Sequence, residues 1–268
     1  MCPEDARFAP DMNKLTNISA HSLTYSSRKG FVGLVLMLGI WHILAELYKN
    51  PLFPSPYEVM EASSTLLSNG ELIIHSVDSL KRVLVGFGFG TILGIGLALL
   101  LSQLRWLSGF IEPLIELLRP IPPIAWIPIA ILAFGLGDHP AYFIVFIGSF
   151  FPIFTNSYFA FTSLPEIYQN LARSFEFTKL VFVRDILIKS ALPYVFSGLR
   201  IGLGMAWMSV IAAELIGAQS GLGYFIQLNR LLLRMDYIVV GMLAIGIIGF
   251  ALHLLLLRVE RKLTPWKQ

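Results

Sequence analysis

Charge is scarce in this sequence: only 14% of its 268 residues are Asp, Glu, Lys or Arg, against about 25% in a typical soluble domain. With 56% hydrophobic residues and a mean hydropathy of +0.71, that shortfall places the chain in the membrane class. Cysteine is nearly missing as well. Cys2 is the single one, so no disulfide forms within the chain. No Gly-Lys dipeptide occurs, which excludes a Walker-type phosphate loop and ATP hydrolysis by this chain. The five histidines, His21, His42, His75, His139 and His253, are scattered and lack the H-x-x-x-H spacing of a metal pair. His42 and His253 read as packing residues. No Ser-His-Asp or paired-carboxylate constellation is present. The net charge of +3 fits basic loops beside a membrane and gives no reason to invoke a nucleic acid.

What is present is a series of apolar runs. A bilayer core of ~30 Å needs about 20 apolar residues per helix. Six runs approach that length: Phe31–Leu47, Val83–Leu101, Ile121–Leu136, Ala141–Phe161, Gly198–Gly217 and Tyr237–Leu257. The sequence thus predicts an all-α membrane protein with six transmembrane helices. Residues 1–30 form a polar N-terminal tail, 31–257 the transmembrane domain and 258–268 a C-terminal tail. The first run has no cleavage site after it and reads as a span that stays. Lys and Arg set the orientation. With the N-terminus inside, segments 1–30, 102–120, 162–197 and 258–268 carry 14 of the 20 basic residues, and the outer segments 48–82, 135–140 and 217–236 carry 5. This bias predicts a multi-pass protein with both termini cytoplasmic.

Small residues recur every four positions in "GFGFGTILG" (Gly86, Gly90, Gly94) and in "GLRIGLGMA" (Gly198, Gly202, Ala206). That spacing lets helix backbones approach closely in lipid. The segment "RPIPPIAWIPIA" (Arg119–Ala130) holds four prolines, and irregular backbone at membrane depth is tolerated only against protein or a wet cavity. It is expected beside a pathway or a partner subunit. Glu214 is a carboxylate near the end of the fifth span. Such a group is either functional or bonded to a helix end.

One stretch breaks the apolar pattern. "PEIYQNLARSFEFTKLVFVRD" (Pro165–Asp185) combines charge with helical apolar spacing and a proline at a helix start. The pattern restarts after Thr178, which predicts two short helices joined by a turn. A helix lying on lipid is the simpler alternative. A protruding hairpin suits docking to a soluble partner.

The segment "LARSFEFTKLVFVRDILIKSALPYVFSGLRIGLGMAWMSVIAAELIGAQSGLGYFI" resembles the membrane-spanning permease subunits of ABC importers, in the nitrate/sulfonate/taurine/bicarbonate branch. "FPSPYEV", "LRPIPPIAWIPIAILAFGLGD" and "FFPIFTNSYFAF" continue the likeness in order, so that it spans nearly everything from Phe31 to Trp266. The resemblance implies a type I ABC importer permease fold in the bacterial cytoplasmic (inner) membrane, with a cytoplasmic coupling-helix loop at 162–197. It also implies a second permease subunit (a homodimer), two ATP-binding subunits that hold ATP and Mg, and an extracytoplasmic substrate-binding protein. No cofactor is implied for this chain. The family's E-A-A-x-x-x-G coupling pattern places its Glu on Asn170, its alanines on Leu171 and Ala172, and its Gly on Glu176, with Arg173, Ser174 and Phe175 between. Only Ala172 is retained. A Glu in place of the turn glycine is expected to cost ~1 kcal/mol or to bend the loop differently. The expected pathway residues are Ser149, Asn156, Met205, Met208, Ser209 and Glu214, with Trp207 packing behind. A stand-alone secondary transporter or channel is the alternative. It would need internal repeats or charge relays in the membrane, and neither is visible.

Overall fold

Backbone polar groups find no water inside a bilayer, so a spanning chain closes its hydrogen bonds within helices or a barrel. The computed structural model, which describes residues 32–33, 35–48, 52–164, 167–168, 170 and 174–265, takes the helical solution. No strand occurs among these residues. Two units are distinguished, Met1–Met60 and Glu61–Gln268.

In the first unit, α1 (Val35–Tyr48) is apolar and lies within the first predicted span, and residues 32–33 ahead of it are also helical. Trp41 Nε1 donates to the Pro54 carbonyl at 3.0 Å. α2 (Pro56–Ser68) starts with a capping box. The Ser55 N–H donates to Glu58 Oε2 at 2.7 Å, the Glu58 N–H returns to Ser55 Oγ at 3.3 Å, and Pro56 occupies the first helical position.

The second unit is built on four long apolar helices: α3 (Glu71–Gln103), α6 (Asp138–Thr162), α7 (Ile188–Gly217) and α9 (Met235–Leu263). At 33 residues α3 is ~50 Å long, and its first turns extend well ahead of the predicted start at Val83. α3 and α6 run parallel. A Cβ on Gly86 would stand 2.6 Å from Val145 Cβ, one on Gly90 would collide with Ser149 Oγ, and one on Gly94 would stand 3.1 Å from Ile153 Cγ2. α7 runs antiparallel to α6, with Gly198 against Asn156 and Pro152 and Gly202 against Ile153 and the Ser149 carbonyl. α6 is therefore gripped on two sides by the two glycine series.

Two parallel neighbours require a return path. α4 (Arg105–Leu118), a 3-10 turn (Pro123–Trp126) and α5 (Ile127–Phe134) supply it. The helices on either side of the prolines are bent by 92°, so the predicted third span, Ile121–Leu136, is the second arm of a broken pair and not a straight crossing. Pro120, Pro122 and Pro123 remove three successive chances of an intrahelical donor and disfavour helical geometry in the residues before them. Residues 102–120, expected as a connecting segment, contain α4. Ile115 of α4 shares an apolar cluster with Leu101, Phe161 and Leu187, whereas Ile127 and Ala130 of α5 pack with Ile144 and Ala213. The return path thus runs from the end where α3 and α6 finish to the end where they begin.

A helical turn (Lys179–Val181) and a π-helical turn (Phe182–Leu187) lead directly into α7. Residues 188–197, expected in the loop, are helical, with Pro193 inside the helix. α8 (Leu222–Leu231) occupies most of the connection to α9. α7 and α9 are antiparallel. Trp207 Nε1 donates to the Ile245 carbonyl at 3.1 Å, and Arg200 Nε lies 3.5 Å from Glu260 Oε2.

Candidate functional site

At the end where α3 and α6 begin, a polar network has its centre buried between apolar helices and Asp138 at its exposed edge. Arg82 is 4% exposed and Glu214 1%. Arg82 Nη1 donates to Glu214 Oε1 at 2.7 Å and to the Ser220 carbonyl at 2.7 Å. Its Nε and Nη2 reach Asp138 Oδ1 at 2.8 and 2.6 Å, and Nη2 also reaches Ser220 Oγ at 2.8 Å. Glu214 accepts in addition from Ser79 Oγ and from the Gly223 N–H, both at 2.9 Å. The Leu222 N–H donates to Ser79 Oγ at 2.8 Å and the Gly221 N–H to His75 Nδ1 at 3.1 Å. All four helix-bearing segments here (α3, α6, α7 and the 218–223 turn) are tied through one guanidinium. A planar fork with five donors is what such a junction needs. Gly221 is required twice over: its φ is +103°, and a Cβ there would press on Arg82 Nη1 at 2.5 Å and on the Glu214 carboxyl.

Arg82 and Asp138 were not singled out from the sequence. The usable signal was Glu214 itself, because a carboxylate at membrane depth needs a cation, and Arg82 directly precedes the apolar run at Val83.

The expected pathway residues separate. Ser149 is fully buried against α3, and its Oγ donates to the Val145 carbonyl at 2.9 Å. Ser209 is buried against Gly148. Glu214 belongs to the network just described. Met208 is 72% exposed on α7. Trp207 packs on α9. Asn156 and Met205 come together in a cleft of about 270 Å³ between α6, α7 and the proline-rich segment, where Arg119, Ile121 and Pro123 form the third wall. The expectation that this segment borders a cavity concerns the same place. Arg119 was counted only as a loop charge.

At the opposite end from the Arg82 network, the charged stretch leads into α7. Leu171, Ala172 and Arg173 lie outside the described residues. Asn170 and Ser174 are helical and exposed, and Phe175 and Glu176 form an exposed turn. The rings of Phe175 and Phe177 stack at 5.8 Å and 19°, with Phe175 65% exposed and Leu180 76%. Glu176 has φ +50°, so the left-handed turn that a glycine adopts freely is made here by a residue with a Cβ.

The sequence from α3 onward matches a known family. The profile described as "Binding-protein-dependent transport system inner membrane component" matches residues 90–267. The chain belongs to this family of ABC transporter permeases. Among relatives of this permease, a probable ABC transporter permease protein of Brucella abortus is 37% identical over 86% of this chain and 92% of its own length. The nitrate import permease protein NrtB of Synechocystis is 32% identical over 88% and 89%, respectively. The taurine transport system permease protein TauC of Escherichia coli is 31% identical over 87% of each. A solved chain of the MetNI methionine ABC transporter, in an inward-facing conformation, superposes with a TM-score of 0.63 at 20% identity, covering 72% of this permease and 96% of that chain. The permease thus has the type I importer fold.

Proposed function

We propose that this permease carries a small oxyanion or sulfonate inward, of the nitrate, bicarbonate or taurine type, released to it by an extracytoplasmic binding protein. ATP and Mg are held, and ATP hydrolysed, by two separate ATP-binding subunits. A second copy of the permease completes the pathway, and both termini are cytoplasmic. The names of the nitrate and taurine relatives support the solute class. The observation that carries the coupling role is the exposed Phe175–Phe177 stack on the turn between α6 and α7, at the end opposite the Arg82 network. A large aromatic left in water beside charged residues is the composition of a protein-binding anchor. In this reading residues 170–176 grip the ATP-binding subunit, and the Lys/Arg bias puts them inside.

Two experiments test this. Affinity purification of the tagged permease from its native membrane is expected to bring down an ATP-binding subunit. Its absence, with the permease folded, returns the stretch to a surface helix. Cysteine labelling tests the orientation after Cys2 is replaced by Ser. In intact cells an impermeant maleimide is expected to label Asn69→Cys but not Thr178→Cys, both exposed positions. The reverse pattern inverts the topology.

A further inference from the structure

The cleft between α6, α7 and the proline-rich segment has an uneven supply of hydrogen-bonding groups. Most of its wall is apolar, from Ile121, Ile147, Phe151, Ile201 and Met205. Thr155 Oγ1 spends its proton on the Phe151 carbonyl at 2.9 Å. Asn156 Nδ2 gives one N–H to the Pro152 carbonyl at 2.8 Å, which leaves its second N–H without a protein partner. Arg119 adds five N–H donors and a full positive charge. Among the described residues it has no ion pair, and no carboxylate lines the cleft. Arg82, by contrast, is matched by Glu214 and Asp138, and Arg200 by Glu260. Arg119 is exposed on this apolar-walled cleft, and a cation with no resident carboxylate beside it is complementary to an anion that comes and goes. The fork geometry of a guanidinium suits an oxyanion with two coplanar acceptors.

We propose that Arg119 is the charge-selecting residue of the translocation cleft, and that its guanidinium, together with the free N–H of Asn156, receives the oxyanion of the passing solute. This rests on the transport reading above and adds to it the residue that sorts solutes by charge. The small volume admits a few heavy atoms beyond the anionic group, and the apolar wall fits a short aliphatic tail better than a second charge. The same chemistry is offered by a lipid phosphate, and the two sources separate by experiment.

The test uses the complete transporter (permease, ATP-binding subunits and binding protein) in vesicles, with uptake of labelled nitrate, bicarbonate and taurine. For whichever of these the wild type imports, Arg119→Gln is expected to lower the uptake rate about tenfold, the scale of one lost charge-assisted hydrogen bond. Arg119→Lys, which keeps the charge, is expected to recover part of it. Asn156→Asp, which places a resident carboxylate beside Arg119, is expected to abolish uptake. Assembly is read separately, from copurified ATP-binding subunit. The defect of Arg119→Gln is expected to be the same in phosphatidylcholine vesicles and in vesicles with one-third phosphatidylglycerol. A defect confined to the anionic vesicles assigns Arg119 to lipid headgroups and overturns the proposal. So does wild-type uptake in assembled Arg119→Gln, or failure of Lys to exceed Gln. If Gln does not assemble, wild-type uptake by Asn156→Asp overturns it. Import of none of the three solutes by the wild type overturns the transport reading itself, and the inference falls with it.

Discussion

At the scale of single residues, the Arg82–Glu214 pair has the largest energetic consequence. Two charges taken out of water are held by each other, by Asp138 on the outer side of Arg82, and by a set of neutral donors and acceptors. Removing one partner strands the other, which typically costs about 3–5 kcal/mol, whereas replacing both by apolar groups is often nearly neutral. Arg82→Met and Glu214→Leu are each expected to lower the thermal unfolding temperature in detergent strongly, and the double variant by less than either. A double variant worse than both singles would contradict the pairing. Glu176 stands at the other extreme of scale. Its φ of +50° carries a left-handed penalty of about 1 kcal/mol that glycine avoids. Glu176→Gly is expected to raise unfolding resistance of the turn slightly, seen as slower proteolysis within 174–178. Faster cleavage would show that Glu176 makes a compensating contact.

Between elements, the contacts are made by absent side chains. Gly86, Gly90 and Gly94 put α3 onto α6 so closely that a Cβ on Gly90 has no room beside Ser149. Gly88, on the same helix, has nothing within 4 Å of its would-be Cβ. Gly90→Val is therefore expected to force α3 from α6 and abolish a folded, monodisperse detergent peak, while Gly88→Val leaves the elution profile unchanged. Equal tolerance of both would remove the seam as the packing determinant. The series was legible in the sequence because its period of four is local to one helix. The bend in the α4–α5 return path was less legible. The prolines of Arg119–Ala130 announced irregular backbone, but the angle of 92° follows from Ile115 and Ile127 joining different apolar clusters at opposite ends of α6.

For the whole molecule, a permease of this family works only through surfaces it offers to others. The stacked Phe175 and Phe177 form an apolar plug that gains most from burial in a partner groove. Phe175→Ala with Phe177→Ala is expected to weaken association with the ATP-binding subunit by about 2 kcal/mol or more, roughly 30-fold in affinity, while membrane insertion persists. Wild-type copurification of the double variant would dismiss the coupling role. The sequence pattern of this stretch was readable as charge on a helix, and the family pattern put its turn glycine on Glu176, where the backbone is left-handed; the stacking of Phe175 on Phe177 was not readable, because it depends on how that turn closes.

By itself the sequence determined the class of solvent, the helical solution it forces, the glycine seams and the family likeness. Each of these depends on composition or on spacing within one element. Only the tertiary structure decided which polar groups meet. Arg82 and Glu214 stand 132 residues apart, and Asp138 lies 56 from Arg82. Arg119 and Asn156 likewise face one cleft from separate segments. Such pairs leave no periodic trace, because their partnership arises when parallel α3 and α6 and antiparallel α7 bring distant ends of the chain to one level of the bundle.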